Sequence, residues 1–120
     1  MIQEQYVTFE TAKLLQEKDF NEPTLFSYYD NNGIVHMNKT NKTLQIIAPI
    51  KRPTQQKTVE WLRIKHKLFI SITYHNKQYK AIIIDIHDEN NPIIHEGITT
   101  CNNPYETTEN AIQLCLKKLI

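Results

Sequence analysis

The chain has 120 residues, enough for one domain with a real core, and two glycines and five prolines leave little material for long linkers. A formal charge of +1 gives no global field that would draw nucleic acid or an acidic membrane. Two glycines also cannot build a phosphate-cradling loop, which excludes the common nucleotide-binding motifs.

In chain order, Val7–Glu17 reads as a short helix. Thr8 is its candidate N-cap, Glu10 sits in the first turn, and Phe9, Ala12 and Leu15 share a face. Asp19 to Pro23 ends it. Thr24–Tyr29 is an aromatic strand candidate, joined by the turn signal Asp30-Asn31-Asn32-Gly33 to Ile34–Met37. A helix-turn-helix would need Pro23–Asp30 as its second helix. That stretch is rich in Phe and Tyr and has no basic residue to meet phosphate, so strand is preferred. Leu44–Ala48 is a further strand candidate before Pro49.

The middle of the chain organises the rest. Pro53 and Thr54 suit a helix start, and Thr54–Lys65 reads as that helix. At about 100° per residue, Val59, Leu62 and His66 fall on one side and Lys57, Trp61 and Ile64 on the other. Two apolar flanks imply packing on both, against a sheet and against either the N-terminal segment or another copy of the chain. Leu68–His75 and Tyr79–His87 follow as a hairpin around Asn76-Lys77. The second strand is apolar on both faces at its middle, as a central, doubly covered strand would be. Asp88–Pro92 is a polar turn and Ile93–Thr100 a weaker strand. Asn103-Pro104-Tyr105-Glu106 then starts a last helix running to Leu119, with Tyr105, Ile112, Cys115, Leu116 and Leu119 on one side.

The expected fold is therefore a single α+β domain. A helix–hairpin–strand half (1–50) precedes a helix–hairpin–strand–helix half (51–120). A mostly antiparallel sheet of four to six strands is expected, covered by the two main helices, with the short N-terminal helix at an edge.

Charge is uneven along the chain. Residues 51–80 hold eight Lys and Arg against one acidic residue, while the segments on either side are mildly acidic. Arg52, Lys57, Arg63, Lys67 and Lys77 are the candidate phosphate contacts, with Trp61 or a tyrosine able to stack on a base. The helix–hairpin–strand–helix order also has the α-β-β-β-α layout of double-stranded RNA-binding domains. Against this, the helical wheel scatters the charges: Arg63 and Lys67 lie together, Lys65 lies apart and Lys57 shares the Trp61 flank. Solvated side chains balancing acidic neighbours are therefore the preferred explanation of the block.

Other constellations are weaker. Asp85 and His87 share a strand face and could reach one ion, but a site needs further ligands that only the fold could bring, from His36, His75 or His95. No metal and no cofactor is expected. His66, on the Leu62 side of its helix, reads as a hydrogen-bonded, half-buried histidine. Cys101 and Cys115 have neither metal nor redox spacing and read as reduced thiols. No Ser–His or Cys–His spacing supports a nucleophile and base, so no enzyme is expected. Met1-Ile2-Gln3-Glu4 lacks the regions of a signal peptide, and no apolar run approaches the roughly 18 residues of a membrane span. A cytoplasmic location follows as an expectation, and without secretion the sequons at Asn38 and Asn41 carry no weight.

Several stretches together carry a resemblance. They are Thr8–Leu15, Glu22-Pro23-Thr24, Pro53-Thr54-Gln55 with Trp61-Leu62-Arg63 and His66, and the Tyr105-Glu106 helix ending in Leu119-Ile120. In these the chain resembles a group of uncharacterised small proteins encoded by phages, prophages and mobile elements of Bacteroides-type bacteria. The resemblance implies a mobile-element origin and a cytoplasmic location, and it carries over no site. Lys18-Asp19-Phe20 stands where that group has a glycine. The functional expectation is a small non-enzymatic accessory protein acting through protein–protein contact, with Trp61 as interface candidate and homo-oligomerisation an option. The alternative is a nucleic-acid-binding module using residues 51–80.

Overall fold

The computed structural model describes residues 4–24, 27–37, 50–96 and 102–120. The elements run α1 (Phe9–Glu17), β1 (Ser27–Tyr29), β2 (Val35–Met37), β3 (Ile50–Lys51), α2 (Gln55–His66), β4 (Leu68–His75), β5 (Gln78–Asp85), β6 (Ile93–Glu96) and α3 (Pro104–Leu114). A π-helical turn, Cys115–Leu119, continues α3. The fold class is α+β and the strands pair antiparallel. The expectation of one sheet is corrected: among the described residues the strands form two three-stranded sheets, ordered β2-β1-β3 and β4-β5-β6. Ser27–Tyr29 is strand, so the helix-turn-helix alternative fails. Leu44–Ala48, Asn38, Asn41, Cys101 and the end of the Ile93–Thr100 strand lie outside the described residues.

Local chemistry accounts for the element ends. Thr8 Oγ1 accepts from Thr11 N, Thr54 Oγ1 from Lys57 N and Asn103 Oδ1 from Tyr105 N, so each helix has a side-chain N-cap. Helix α1 ends in a Schellman arrangement. Phe20 N donates to Leu15 O at 3.0 Å and Asp19 N to Gln16 O at 3.2 Å, which needs Asp19 in the left-handed region at φ 60°. The β4–β5 turn is two residues, Asn76 and Lys77, with φ of 52° and 63°, the type I′ geometry that matches strand twist. Gly33 in the β1–β2 turn sits at φ 82°, and a Cβ there would lie 2.8 Å from the Phe9 ring.

One hydrophobic cluster draws on both halves: Val7, Ala12, Leu15, Phe20, Tyr29 and Ile50 with Trp61, Leu62, Leu68, Ile83, Ile112 and Leu116. Helix α2 packs against β4, α3 against β5 and β4, and α1 against β3 and α3. Both flanks of α2 are used. Leu62 is fully buried, and Trp61, 6% exposed, meets the Phe20 ring edge-on at 5.1 Å between centroids. The partner on the second flank is thus the N-terminal segment. That flank is incompletely covered, since Ile64 is 59% exposed.

A polar node sits where the three helices meet. Glu109 of α3 is 6% exposed. Its Oε2 accepts from Thr8 N and Thr8 Oγ1, both at 3.0 Å, and its Oε1 from Gln55 Nε2 at 2.9 Å. The carboxylate therefore faces the positive end of α1 and the first residue of α2. Beside it Gln113 Nε2 donates to Thr11 Oγ1, and Gln55 N donates to Gln5 O at 2.7 Å.

Glu109→Ala is expected to lower unfolding stability by about 2–4 kcal/mol in urea titration, with Glu109→Gln losing less, because the alanine strands buried donors on two helices. Asp19→Gly should raise stability by about 0.5–1 kcal/mol, since glycine adopts that φ without strain.

Candidate functional site

Register divides the second sheet into two faces. Leu68, Ile70, Ile72, Ala81 and Ile83 share the face that the core uses. Phe69, Ile84 and Ile94 are direct cross-strand partners on the other face, and Ile82, paired with Ser71 and Glu96, lies beside them. Phe69 is 38% exposed and Ile94 64%, while Ile82 and Ile84 are half-buried. The expectation of a doubly covered β5 is thereby corrected: its second face is apolar, yet among the described residues no helix packs on it. Arg63 borders the row, its guanidinium carbon 5.9 Å from the Phe69 ring centroid, and the Lys80–Glu96 ion pair at 3.2 Å borders it further along. Chemically this is an apolar strip with a charged rim, suited to contact with another apolar surface.

The candidate phosphate contacts do not gather into one patch. Arg52 is half-buried. Its guanidinium stacks 4.0 Å from the Tyr6 ring centroid, its Nη1 donates to Ser27 Oγ, and its Nε has no hydrogen-bond partner among the described residues. Lys57 is half-buried on a groove of about 450 Å³ that also holds Glu4, Glu22, Glu60 and Trp61. Arg63 is exposed beside Phe69. Lys67 ends α2 at φ 57° and Lys77 sits in the β4–β5 turn, so the eight-residue strand separates them by roughly 25 Å at about 3.3 Å per residue. Trp61, the interface candidate, is packed against Phe20 and His66 and leaves little surface to a partner.

The Asp85–His87 pair closes on itself. Asp85 Oδ1 lies 2.5 Å from His87 Nδ1 and accepts from His87 N at 3.0 Å; these bonds hold its carboxyl below the usual range. Among the described residues no group of three or more His, Cys, Asp or Glu is placed to share a metal ion. Asp30 does similar turn work, accepting from Asn32 N and Ile34 N and pairing with His36 Nε2 at 2.8 Å, which lowers its carboxyl as well. Burial pushes the Cys115 thiol up to about 12, far from the thiolate a nucleophile requires. His66 is half-buried against the Trp61 ring. Burial first, then the charges of His87, Lys18 and Lys65, hold its imidazole below the ordinary 6.5. No helix of the described residues is long and apolar enough to cross a membrane.

The apolar pattern on both faces of β5 is legible in the sequence, but not that one of them carries no helix among the described residues. Period-2 patterning reports which side a residue takes, and no local signal reports what covers that side. No family model, curated protein or solved structure matches the chain.

If the strip is surface rather than core, Phe69→Ser and Ile94→Ser should each change stability by less than about 1 kcal/mol in urea titration. Ile83→Ala, on the opposite face, should cost about 2–4 kcal/mol. His66 predicts a pH dependence. Its lowered value means the unfolded chain binds the proton first, so its contribution is complete above pH 6.5 and declines as pH falls below that. The lowered Asp30 and Asp85 lose theirs only below 3.8. His66→Asn should therefore flatten the fall in stability as pH drops below 6.5.

Proposed function

We propose that this chain is a small, non-enzymatic protein-binding module whose partner docks on the bare face of the β4-β5-β6 sheet. The observation that carries this reading is the cross-strand row Phe69–Ile84–Ile94, with Ile82 adjoining. Sheet faces exposed to water ordinarily alternate to polar residues, and four aliphatic or aromatic side chains at neighbouring positions are the composition of a contact surface. Arg63 at its border favours a partner with a carboxylate flanking an apolar patch. The role as an accessory protein, the mobile-element origin and the cytoplasmic setting rest on the sequence resemblance and belong to the same proposal.

A second reading, nucleic-acid binding, is favoured by one observation. The order α2-β4-β5-β6-α3 is the α-β-β-β-α layout of double-stranded RNA-binding domains. The separation of Lys67 from Lys77 and the exposed Glu106 in the first turn of α3 weigh against it.

A photo-crosslinker at Ile94 in the producing cell separates the two. A protein adduct that disappears on Phe69→Ser, with the exposed Asn32 in the turn of the other sheet as a silent control position, supports the first reading; no adduct with any protein overturns it. Heparin or duplex-RNA binding that weakens steeply with salt, and is lost when Arg63 and Lys67 are reversed to glutamate, would put the second reading in its place.

A further inference from the structure

The free edge of β4 is a separate feature and does not depend on the bare face. The two-residue turn makes His75 and Gln78 a hydrogen-bonded pair, so odd-numbered residues of β4 bond to β5. Ile86 N donating to Lys67 O at 2.9 Å continues the same alternation beyond the strand. Ile70, Ile72 and Tyr74 therefore turn their N–H and C=O groups away from β5. Among the described residues no strand pairs with them. The strand is eight residues long with no proline and no Lys, Arg, Asp or Glu, and it lacks the devices that usually blunt an edge. Over it opens a cleft of about 360 Å³ whose apolar wall is Val59, Ile70, Ile72 and Tyr105, and none of its lining residues belongs to β5 or β6. A strand added beside β4 would direct every second side chain toward this cleft.

We propose that the β4 edge binds an extended peptide by strand addition, and that the peptide is apolar at alternate positions with acidic residues at both ends. Main-chain pairing to Ile70, Ile72 and Tyr74 supplies affinity, and the cleft selects the alternate side chains. Charge decides between this occupant and a second copy of the chain. Lys65 and Lys67 precede β4, and Lys77 follows it. A two-fold antiparallel pairing of two β4 strands would bring the Lys67 end of one beside the Lys77 end of the other, at both ends of the interface. Carboxylates on a heterologous strand meet the same lysines favourably. The single charged residue on the cleft wall, Glu4, keeps acidic side chains out of the middle of the peptide.

The probe is a synthetic peptide of alternating valine and threonine flanked by glutamates, with a lysine-flanked counterpart, titrated against the full chain by calorimetry and amide hydrogen exchange. Binding of the glutamate peptide should be at least about tenfold tighter than of the lysine peptide. It should slow exchange at Ile70, Ile72 and Tyr74, and methylating alternate peptide nitrogens on the pairing side should abolish it. Lys77→Glu, in the exposed turn, should narrow the preference for glutamate flanks without changing stability. The proposal is overturned if the glutamate peptide does not bind, if both peptides bind equally, or if those three amides are already protected in the free chain. Protection that rises with chain concentration alone would also overturn it, in favour of self-pairing. The Phe69→Ser variant should bind the peptide as the native chain does, which keeps the result distinct from the fate of the bare-face reading.

Discussion

Much of this fold hangs on one buried carboxylate. Glu109 has its two oxygens divided between the start of α1 and the start of α2, joining residues 101 and 54 positions apart. A buried carboxylate is tolerated only when its lone pairs are met, and here three donors meet it at 2.9–3.0 Å, with the α1 dipole adding its positive end. Close by, Val7 N donates to Pro53 O and the buried Tyr29 hydroxyl donates to Val7 O. The segment from Gln5 to Thr8 is thus held by directional bonds, whereas α2 and α3 are held to β4 and β5 mainly by packing. Hydrophobic burial would accept many placements of the N-terminal segment, and the Glu109 node accepts one.

What could be read from the sequence was whatever a few neighbouring residues decide. Pro53-Thr54 and Asn103-Pro104 mark helix starts because capping is local. Asn76-Lys77 marks the hairpin because only its own φ values matter. Glu109 could not be read. Two turns into a helix an acidic residue looks like ordinary dipole matching, and its partners are far away in sequence. The same distance hid Phe20 as the cover for Trp61, which left the second apolar flank of α2 open to either the N-terminal segment or another copy. The division into two sheets was equally hidden, because strand candidates announce their own ends but not their neighbours.

The candidate site was half legible for a related reason. Ala81 and Ile83 alternate with Ile82 and Ile84, so β5 reads as apolar throughout. Composition of that kind is ordinarily explained by a second covering layer. The chain supplies α2 and α3 to the Leu68–Ile83 face and, among the described residues, nothing to the other. The exposed isoleucines are therefore either a cost in solubility or a surface with a use. Their neighbours argue for use. Ion pairing between Lys80 and Glu96 and the placement of Arg63 over Phe69 ring the strip with charge, as a docking surface is ringed, instead of interrupting it.

The distribution of lysine sharpens that argument. Residues 51–80 are the most basic part of the chain, and a charged side chain on β4 would be the simplest protection against unwanted strand pairing. None is there: the lysines stop at Lys67 and resume at Lys77, framing a strand of eight residues with no Lys, Arg, Asp or Glu. A block of positive charge selected for phosphate would concentrate on one face, but this one is split by the length of a strand. A split of that kind leaves an unprotected edge whose two ends repel a like-charged strand and attract an acidic one. The basic segment and the apolar strand are then parts of one device, and its selectivity comes from the spacing that the hairpin imposes.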